Sequence, residues 1–389
     1  MNNIYIQLLL AVLCAAVIAF ASTPIIRVLA YKLGAVDIPK DARRMHNKPM
    51  PLLGGLAIFV AFSLTSLIFF LYNPQLLTIW FGGLVIIICG ILDDIFSLNP
   101  FVKLGGQILA ALIVISQGIV IEHINIFGTY IQFGWLSIPI TLIWIVGLTN
   151  AINLIDGLDG LACGVSAICS VSLLVVSILH ADTSIMMITA ILAGSCIGFL
   201  PFNSNPAKIF MGDTGSMFLG YTLSVVSVVG VFKFTAVISF AIPLIIFGLP
   251  LVDTILAILR RVLHGKSPFS ADRGHLHHKL IDMGLNQKQS VTILYAICSI
   301  LGILAIMLSE DKIGSSVIIL CVAVVIGIIN YVFFNSKKTR DYTGLANEKD
   351  NTASDVPTRS DAPMNSPSVE MTEKSDAGSN KEQKKNDLC

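Results

Sequence analysis

The chain has 389 residues, of which 55% are hydrophobic and 13% are charged, and its mean hydropathy is +0.82. Because soluble domains carry about a quarter of charged residues, this composition excludes an ordinary soluble protein and predicts one that lies in a lipid bilayer. The formal net charge is +1, so neither sign is in excess and we expect no nucleic-acid partner. The eight cysteines include no CxxC pair or other metal-ligand spacing, which excludes a cysteine-based metal site.

Long apolar segments follow one another along most of the chain. A run of about 20 mostly apolar residues is long enough to cross a bilayer as a helix. About eleven such runs occur, at 3–23, 52–72, 76–92, 104–122, 135–151, 161–180, 184–200, 215–231, 234–258, 291–308 and 312–334. The sequence therefore predicts an all-α, polytopic integral membrane protein.

The basic residues indicate which loops face the cytoplasm. Lys and Arg are concentrated in one set of alternate loops, whereas the opposite set carries only Lys233 and Lys312. Short loops rich in Lys and Arg stay in the cytoplasm. We therefore expect the N-terminus outside, the C-terminus in the cytoplasm, and the polar loops on the cytoplasmic face of the cell inner membrane.

The composition changes near residue 336 to Ser, Asn, Asp, Glu, Lys and Pro. A segment of this kind cannot bury enough apolar surface to fold. We predict a transmembrane domain at 1–335 and a disordered cytoplasmic tail at 336–389.

The first cytoplasmic loop carries Arg43, Arg44, His46 and Lys48 directly before a Pro/Gly-rich bend at 49–55. Basic side chains at a membrane surface suit a nucleotide phosphate or a lipid headgroup. The charges that keep a loop in the cytoplasm explain the same residues equally well. Both interpretations stay open for this loop.

Two adjacent carboxylates, Asp93 and Asp94, close the third apolar run. Side by side at the membrane edge they repel each other unless a cation or a basic group compensates their charge. The pair therefore predicts a metal ion or a cationic partner. The alternative is that one carboxylate caps a helix while the other is solvated.

The segment between the fifth and sixth runs carries Asn153, Asp156 and Asp159, with Gly157 and Gly160 between and after the two aspartates. If the segment is helical, the aspartates share one face, and the glycines let a ligand approach the backbone closely. Polar residues repeated at the end of an apolar helix are hard to explain by packing alone. This pattern predicts a ligand-binding segment.

The eighth run begins with Gly212-Asp213-Thr214-Gly215-Ser216, which places a carboxylate and two hydroxyls at a helix N-terminus. Backbone N–H groups and the helix dipole at such a position favour phosphate oxygens. A carboxylate beside a phosphate site implies Mg²⁺, which is usually shared between carboxylates and substrate phosphates. The alternative is that Asp213 is a simple helix cap.

The loop at 259–290 contains Arg273, His275, His277 and His278 within six residues. This cluster predicts anion binding, to a diphosphate or a sugar phosphate. A metal shared by His275 and His278 is the rival interpretation. A further acidic residue lies inside the ninth run: Asp253, which either pairs with Arg260 or faces the site.

These motifs, taken in order over roughly residues 24–310, resemble the polyprenyl-phosphate N-acetylhexosamine-1-phosphate transferases, which act on UDP-sugars in cell-envelope synthesis. The Ser267-Pro-Phe-Ser270 and His275-Leu-His-His278 segments are most similar to the bacterial branch that transfers GlcNAc-1-phosphate to undecaprenyl phosphate. The resemblance implies a catalytic transmembrane domain that requires Mg²⁺, with Mn²⁺ able to substitute. The tail at 336–389 has no counterpart in the family pattern.

The resemblance also assigns roles to residues. It implies that Asp213 is a metal ligand, with Asp94 as a second candidate. It implies catalytic roles for Asp93, Asp94, Asp156, Asp159, Arg273, His275, His277 and His278. It also implies that the uridine and diphosphate are surrounded by Lys48, Asn153, Asp156, Asp159, Asn203 and Phe210, and that the histidine loop holds the sugar-phosphate end. The partners implied are a UDP-sugar, a polyprenyl phosphate and the bilayer, and a homodimer is one assembly that the sequence permits.

Two chemical routes remain open at this stage. In the first, the lipid phosphate attacks the β-phosphorus of the UDP-sugar directly, since a phosphate monoester is largely dianionic at neutral pH. In the second, Asp93 or Asp94 first forms a phosphosugar-enzyme intermediate. The same reaction with UDP-MurNAc-pentapeptide or another UDP-HexNAc is an alternative, and a transporter for a lipid phosphate or a nucleotide-sugar is a distant one.

Overall fold

The structure is a computed structural model that describes residues 2–38, 49–70, 73–126, 129–230, 241–265, 267 and 274–310. The α-helices within these ranges are α1 (Asn2–Leu33), α2 (Gly54–Phe70), α3 (Pro74–Phe96), α4 (Pro100–Ser116), α5 (Ser137–Leu154), α6 (Leu161–Leu179), α7 (Thr183–Asn203), α8 (Gly212–Val229), α9 (Ala241–Ile246), α10 (Gly248–Leu263), α11 (Leu276–Asp282) and α12 (Gln287–Ser309). Two short hairpins, each an antiparallel pair, complete the described part: β1 (Val36–Asp37) with β2 (Met50–Pro51), and β3 (His123–Ile126) with β4 (Thr129–Gln132).

Six of the described helices are long and apolar enough to cross a membrane, and two shorter apolar helices accompany them. The prediction of an all-α membrane protein is confirmed. The expected span at 312–334 and the expected tail at 336–389 lie outside the described residues.

The sequence predicted one continuous helix for the ninth span, 234–258. This prediction is wrong over the described residues, 241–258. The chain forms two helices there, α9 and α10, which separate at Phe247. Pro250 follows in the first turn of α10, and a proline has no N–H to donate to the carbonyl four residues before it. The separation therefore lies where the backbone loses a helical hydrogen bond.

The fourth predicted span, 104–122, also differs from the structure. Helix α4 ends at Ser116, and the chain then forms the β3–β4 hairpin. The apolar residues between Ser116 and the hairpin extended the predicted helix, because hydropathy alone does not separate the end of a helix from an apolar connecting segment.

Helix α8 is central to the described part: each residue from Thr214 to Val229 is buried. Helices α2, α3 and α5 pack around it. Glycines allow the closest approaches, because a Cβ atom at Gly55 would overlap the backbone of Gly215, and one at Gly90 would overlap the backbone of Thr214. The N-terminus of α8 is therefore fixed against the start of α2 and the last turns of α3.

Candidate active site

A cavity of about 690 Å³ lies where the polar segments of the chain meet. The predicted site residues on its wall are Asp93, Asp94, Asp156, Asp159, Asn203, Phe210, Asp213 and His278. They come from segments more than 180 residues apart in sequence. Lys48 and Arg273, also predicted for the site, lie outside the described residues.

Three carboxylates form the acidic part of this cavity. Asp93, Asp94 and Asp213 each offer an oxygen, and the three oxygens lie within 4.8 Å of one another. We call these residues the carboxylate cluster. In the described part of the chain they are the one group of three or more His, Cys, Asp or Glu residues with this spacing. A set of three carboxylate oxygens without sulfur or imidazole fits a hard divalent cation such as Mg²⁺.

Asp94 caps the N-terminus of α8. Its Oδ1 accepts a hydrogen bond from the backbone N–H of Asp213 at 2.9 Å, and its Oδ2 accepts from the N–H of Thr214 at 3.1 Å and from the Thr214 hydroxyl at 2.6 Å. Gly212 has φ +71°, and a Cβ there would overlap the Asp94 carboxylate. The expectation that free N–H groups and hydroxyls wait here for phosphate is therefore corrected, because the carboxylate of α3 already engages them.

Lys103, in the first turn of α4, supplies the positive charge that the paired aspartates require. Its ammonium lies 2.7 Å from Asp93 Oδ2 and 2.5 Å from Asp213 Oδ2. Asp93 also accepts a hydrogen bond from the backbone N–H of Leu98 at 2.8 Å. Asp93 is thus 9% exposed and ion-paired. The alternative in which one of the two aspartates caps a helix while the other is solvated is therefore wrong in its second part.

Lys103 was not predicted as a site residue, because the rule that loops rich in Lys and Arg stay in the cytoplasm already accounted for its charge. One signal could have identified it. Asp93 and Asp94 required compensation, and Lys103 follows them across a loop of only a few residues, Ser97 to Asn99. The compensating group is therefore close in sequence to the charges that it balances.

Asn153, at the end of α5, orients the other side of Asp213. Its amide donates to Asp213 Oδ1 at 3.0 Å and to the Ser216 hydroxyl at 2.8 Å. One turn earlier, Asn150 exchanges hydrogen bonds with Gln107 of α4. Helix α5 is therefore joined through side-chain amides to both α4 and α8. The amide of Asn153 binds a carboxylate of the protein, that of Asp213.

The segment of residues 155–160, which we call the Asp159 loop, is not helical. Helix α5 ends at Leu154 and α6 begins at Leu161, so the expected shared helical face of Asp156 and Asp159 is wrong. Gly160 has φ +80°, a conformation that favours glycine and ends the loop before α6. Both aspartates nevertheless line the cavity.

The two aspartates of this loop have different surroundings. Burial, and after it the negative charges of Asp213, Asp94 and Asp159, raises the pKa of the Asp156 carboxyl to about 8. Asp159 Oδ2 instead accepts hydrogen bonds from the Asn205 amide at 2.9 Å and from the backbone N–H of Ala207 at 3.1 Å. Asp156 therefore needs a positive charge to stay ionised at neutral pH, whereas Asp159 is held by neutral donors.

Asn203 and Phe210 flank the turn that leads into α8. The Asn203 amide is buried and donates to the backbone carbonyl of Ile209 at 3.1 Å, which closes the turn on itself. The backbone of Phe210 pairs with two residues near α2, donating to Pro51 at 2.9 Å and accepting from Gly54 at 3.0 Å. Both residues therefore shape the cavity wall, and their contacts to a substrate stay a prediction.

The rings of the three histidines lie next to one another, with centroids 5.8 Å apart for His275 and His277 and 4.2 Å apart for His277 and His278, but their surroundings differ. His275 is buried, and its Nδ1 lies 2.9 Å from Asp253 Oδ2, while Asp253 Oδ1 accepts from the backbone N–H of Leu276 at 2.8 Å. Asp253 thus pairs with the histidine segment. His277 is 3% exposed and packs against Gly157, where a Cβ would overlap its ring.

The His277 imidazole is uncharged at neutral pH. Burial, followed by the neighbouring His278 and His275, lowers the pKa of the His277 imidazole to about 4. A neutral imidazole has one N–H to donate, and His277 is not among the residues that line the cavity, so its contact with an anion stays a prediction. His278 is the histidine that reaches the cavity wall.

The first hairpin brings a further residue to the site that sequence reasoning missed. Asp37 of β1 and Met50 of β2 both line the cavity, as does Leu52. The hairpin register pairs Asp37 with Met50. A strand of two residues leaves no alternating pattern in the sequence, so the position of Asp37 had no local signal.

The chain is similar to characterised proteins over most of its length. Residues 76–231 match the family model described as Glycosyl transferase family 4. "Probable undecaprenyl-phosphate N-acetylglucosaminyl 1-phosphate transferase" of Bacillus subtilis is 39% identical over 88% of this chain and 94% of its own length. "Decaprenyl-phosphate N-acetylglucosaminephosphotransferase" of Mycolicibacterium smegmatis is 33% identical over 83% and 87%.

A relative with a different printed name is also similar. "Phospho-N-acetylmuramoyl-pentapeptide-transferase" of Staphylococcus aureus is 32% identical over 76% of this chain and 97% of its own length. These matches span nearly the whole of each relative, and they confirm the resemblance drawn from the motifs. The chain belongs to the family of polyprenyl-phosphate N-acetylhexosamine-1-phosphate transferases.

Proposed function

We propose that this enzyme transfers GlcNAc-1-phosphate from UDP-GlcNAc to undecaprenyl phosphate, releasing UMP and giving a lipid-linked diphosphosugar for cell-envelope polysaccharide synthesis. One observation carries the proposal: the carboxylate cluster and both aspartates of the Asp159 loop line a single cavity. The choice of GlcNAc follows the printed names of the relatives at 39% and 33% identity. UDP-MurNAc-pentapeptide is the second candidate donor, because similarity also extends to the relative from Staphylococcus aureus.

Mg²⁺, for which Mn²⁺ can substitute, fits the oxygen donors of the carboxylate cluster. Asp213 is the first candidate ligand and Asp94 the second, and Asp93 completes the group. Bound there, the cation supplies charge neutralisation to a diphosphate that would otherwise be repelled by the carboxylates. Lys103 and Asn153 hold the Asp213 carboxylate from two sides and fix its orientation.

Direct transfer fits the contacts of the aspartates better than a covalent intermediate does. A phosphate oxygen of the lipid attacks the β-phosphorus of the donor, the bond from that phosphorus to the bridging oxygen breaks, and UMP leaves. An Asp94 nucleophile would have to give up hydrogen bonds that both of its oxygens accept from α8. Asp93 would have to leave Lys103 and the Leu98 N–H. Each alternative nucleophile therefore starts from a stabilised, fully engaged state.

The membrane arrangement follows from the sequence pattern. We propose an external N-terminus, a cytoplasmic C-terminus and an active site on the cytoplasmic face of the inner membrane. We propose further that the catalytic domain covers 1–335 and that 336–389 is a cytoplasmic tail. The six candidate spans and the basic character of the loops support this arrangement.

An assay with purified protein tests the proposal. The protein in detergent is incubated with labelled UDP-GlcNAc, undecaprenyl phosphate and Mg²⁺, and labelled lipid and released UMP are measured. Equal amounts of both products are expected, and none should form in EDTA. Parallel reactions with UDP-MurNAc-pentapeptide and UDP-GalNAc identify the donor. Lipid product from UDP-MurNAc-pentapeptide alone would replace GlcNAc as the proposed sugar, and no product from any donor would reject the function.

A further inference from the structure

Helix α12 lies more than 120 residues further along the chain than the Asp159 loop, yet it contacts the loop once directly and once through Asn205. The first contact is made by Tyr295. Its hydroxyl donates a hydrogen bond to the backbone carbonyl of Gly160 at 2.6 Å. The space that this hydroxyl occupies depends on Gly164, because a Cβ there would overlap the phenol. Tyr295 therefore fixes the residue that ends the loop and begins α6.

The second contact is made by Gln287, the first residue of α12. Its Oε1 accepts a hydrogen bond from the Asn205 amide at 2.6 Å. The same amide donates to Asp159 Oδ2 at 2.9 Å, so one Asn205 side chain joins α12 to the aspartate. Asn205 uses both of its amide hydrogens in this way. Gln287, Asn205 and Asp159 all line the cavity.

The start of α12 is itself held in place. Asn286 caps the helix by accepting from the N–H of Gln289 at 2.9 Å, and the Gln289 side chain accepts from the N–H of Asn286 at 3.0 Å. This reciprocal pair is a capping box, which fixes the first turn of a helix. Gln287 therefore meets Asn205 from a rigid position rather than from the end of a mobile chain.

We propose that Gln287 and Tyr295 are positioning residues that hold Asp159 in the orientation that binds the nucleotide part of the donor. The inference deepens the proposed function and rests on it. Helix α12 then sets the affinity for the donor, while the carboxylate cluster sets the rate of transfer. Neither residue touches the reacting phosphorus in this assignment, since both act through Asp159 and the backbone beside it.

Steady-state kinetics of four variants distinguish the positioning of Asp159 from a contribution to the stability of the fold alone. Tyr295→Phe removes the hydrogen bond to the Gly160 carbonyl, and Gln287→Met removes the hydrogen bond from the Asn205 amide. We expect each to raise KM for UDP-GlcNAc roughly five- to tenfold, the usual effect of one such bond, with kcat changed less than about twofold. Unchanged KM in both variants would overturn the proposal.

The chain offers a matched control for each variant. Tyr221 is also a buried tyrosine whose hydroxyl contacts a backbone carbonyl, that of Thr78 at 3.5 Å, and it also faces a glycine without room for a Cβ, Gly82. Tyr221→Phe should leave KM unchanged. Lys288→Met, an exposed residue next to Gln287 in the same turn, leaves both the capping box and Asn205 in place and should also leave KM unchanged. Equal KM increases in the controls would show a general loss of structure and reject the positioning role.

A double-mutant cycle tests the route through the aspartate. If Tyr295 acts through Asp159, the double variant Tyr295→Phe with Asp159→Asn should have a KM within about twofold of Asp159→Asn alone. If the KM increases of the two single variants multiply in the double variant, Tyr295 acts independently of Asp159 and the proposal fails.

UMP binding keeps this test separate from the test of function. The concentration of UMP that stabilises the protein against heat is measured for the wild type and the four variants. A wild type that makes no lipid product rejects the proposed function, yet Tyr295→Phe and Gln287→Met must still weaken UMP binding several-fold relative to their controls. A wild type that does not bind UMP overturns both proposals.

Discussion

The carboxylate cluster and the Asp159 loop line the same cavity but are held in different ways. In the cluster, Asp93 and Asp213 share the ammonium of Lys103, and Asp94 occupies the N-terminus of α8. In the loop, Asp159 is held by an amide and a backbone N–H, both neutral. The bonds in both places involve a carboxylate, but Asp93 and Asp213 also share a positively charged partner, and removing one member of a partly buried ion pair leaves a charge without compensation. We therefore expect substitutions in the cluster to cause large losses of rate, and substitutions around the loop to cause graded losses of affinity.

The largest effect is expected for Asp213→Asn. The substitution removes a candidate metal ligand and one of the two carboxylates paired with Lys103. We expect the rate of transfer at saturating Mg²⁺ to fall at least about a thousandfold, with the thermal midpoint in detergent nearly unchanged. Asp282→Asn, on the exposed side of α11, is the control and should keep full activity. Retained activity in Asp213→Asn would remove Asp213 from the metal site.

Asp94→Asn should be the next most severe change and should differ from Asp93→Asn. An asparagine at position 94 presents one N–H₂ group where the carboxylate accepted hydrogen bonds from Asp213 and Thr214. We expect a loss of transfer of about a hundredfold together with a thermal midpoint lowered by a few degrees, as for a lost helix cap. Asp93→Asn should lower activity without the shift in midpoint. Equal and mild losses in the two variants would count against both roles.

Lys103→Met tests whether the charge balance of the cluster matters. Without the ammonium, Asp93 and Asp213 face each other without compensation in a partly buried site. We expect transfer to fall roughly ten- to hundredfold, and Lys103→Arg to recover part of the loss because the positive charge is kept. Lys288→Met, an exposed lysine of α12, serves as the control. Full activity in Lys103→Met would show that the ion pairs are dispensable.

The smallest effect, on stability rather than rate, is expected from His277. Its pKa is about 4 in the folded protein, below the ordinary value of about 6.5. The unfolded chain therefore binds a proton more readily, and stability falls as pH is lowered from about 6.5 toward 4. We expect the thermal midpoint to decrease between pH 7 and pH 5, and His277→Asn to show a shallower decrease. Parallel pH curves for the two proteins would exclude His277 as the cause.

The sequence predicted the carboxylates of the site well because each lies in a pattern that packing does not explain. Asp93, Asp94, Asp156, Asp159 and Asp213 stand beside glycines or at the ends of apolar runs, where a charge is costly. Five carboxylates in a chain with so few charges have a strong local signal, and the structure brings all five to one cavity.

The residues that hold those carboxylates could not be predicted in the same way. Gln287 and Asn205 are common polar residues whose role depends on a partner many positions away. No spacing rule relates Tyr295 to Gly160, because the contact exists only after α12 has packed against α6. Local patterns thus identify groups that are costly to bury, whereas the groups that hold Asp159 follow from the packing of distant helices.

Helix boundaries show the same division between local and distant causes. Apolar length located the helices, but hydropathy did not indicate where α9 separates from α10 or where α4 gives way to a hairpin. The assumption of a helix over Asp156 and Asp159 failed because Gly157 and Gly160 favour a turn over a helix. Composition fixes the class of a segment more reliably than it fixes its ends.

The cap that Asp94 places on α8 has a consequence for an enzyme in a membrane of varying thickness. A helix of 23 residues such as α3 tilts when the surrounding bilayer becomes thinner. Because the last turn of α3 is bonded to the first turn of α8, a tilt of α3 carries the N-terminus of α8 with it. We therefore expect Asp93, Asp94 and Asp213 to move together and to keep their mutual spacing when the lipid composition changes.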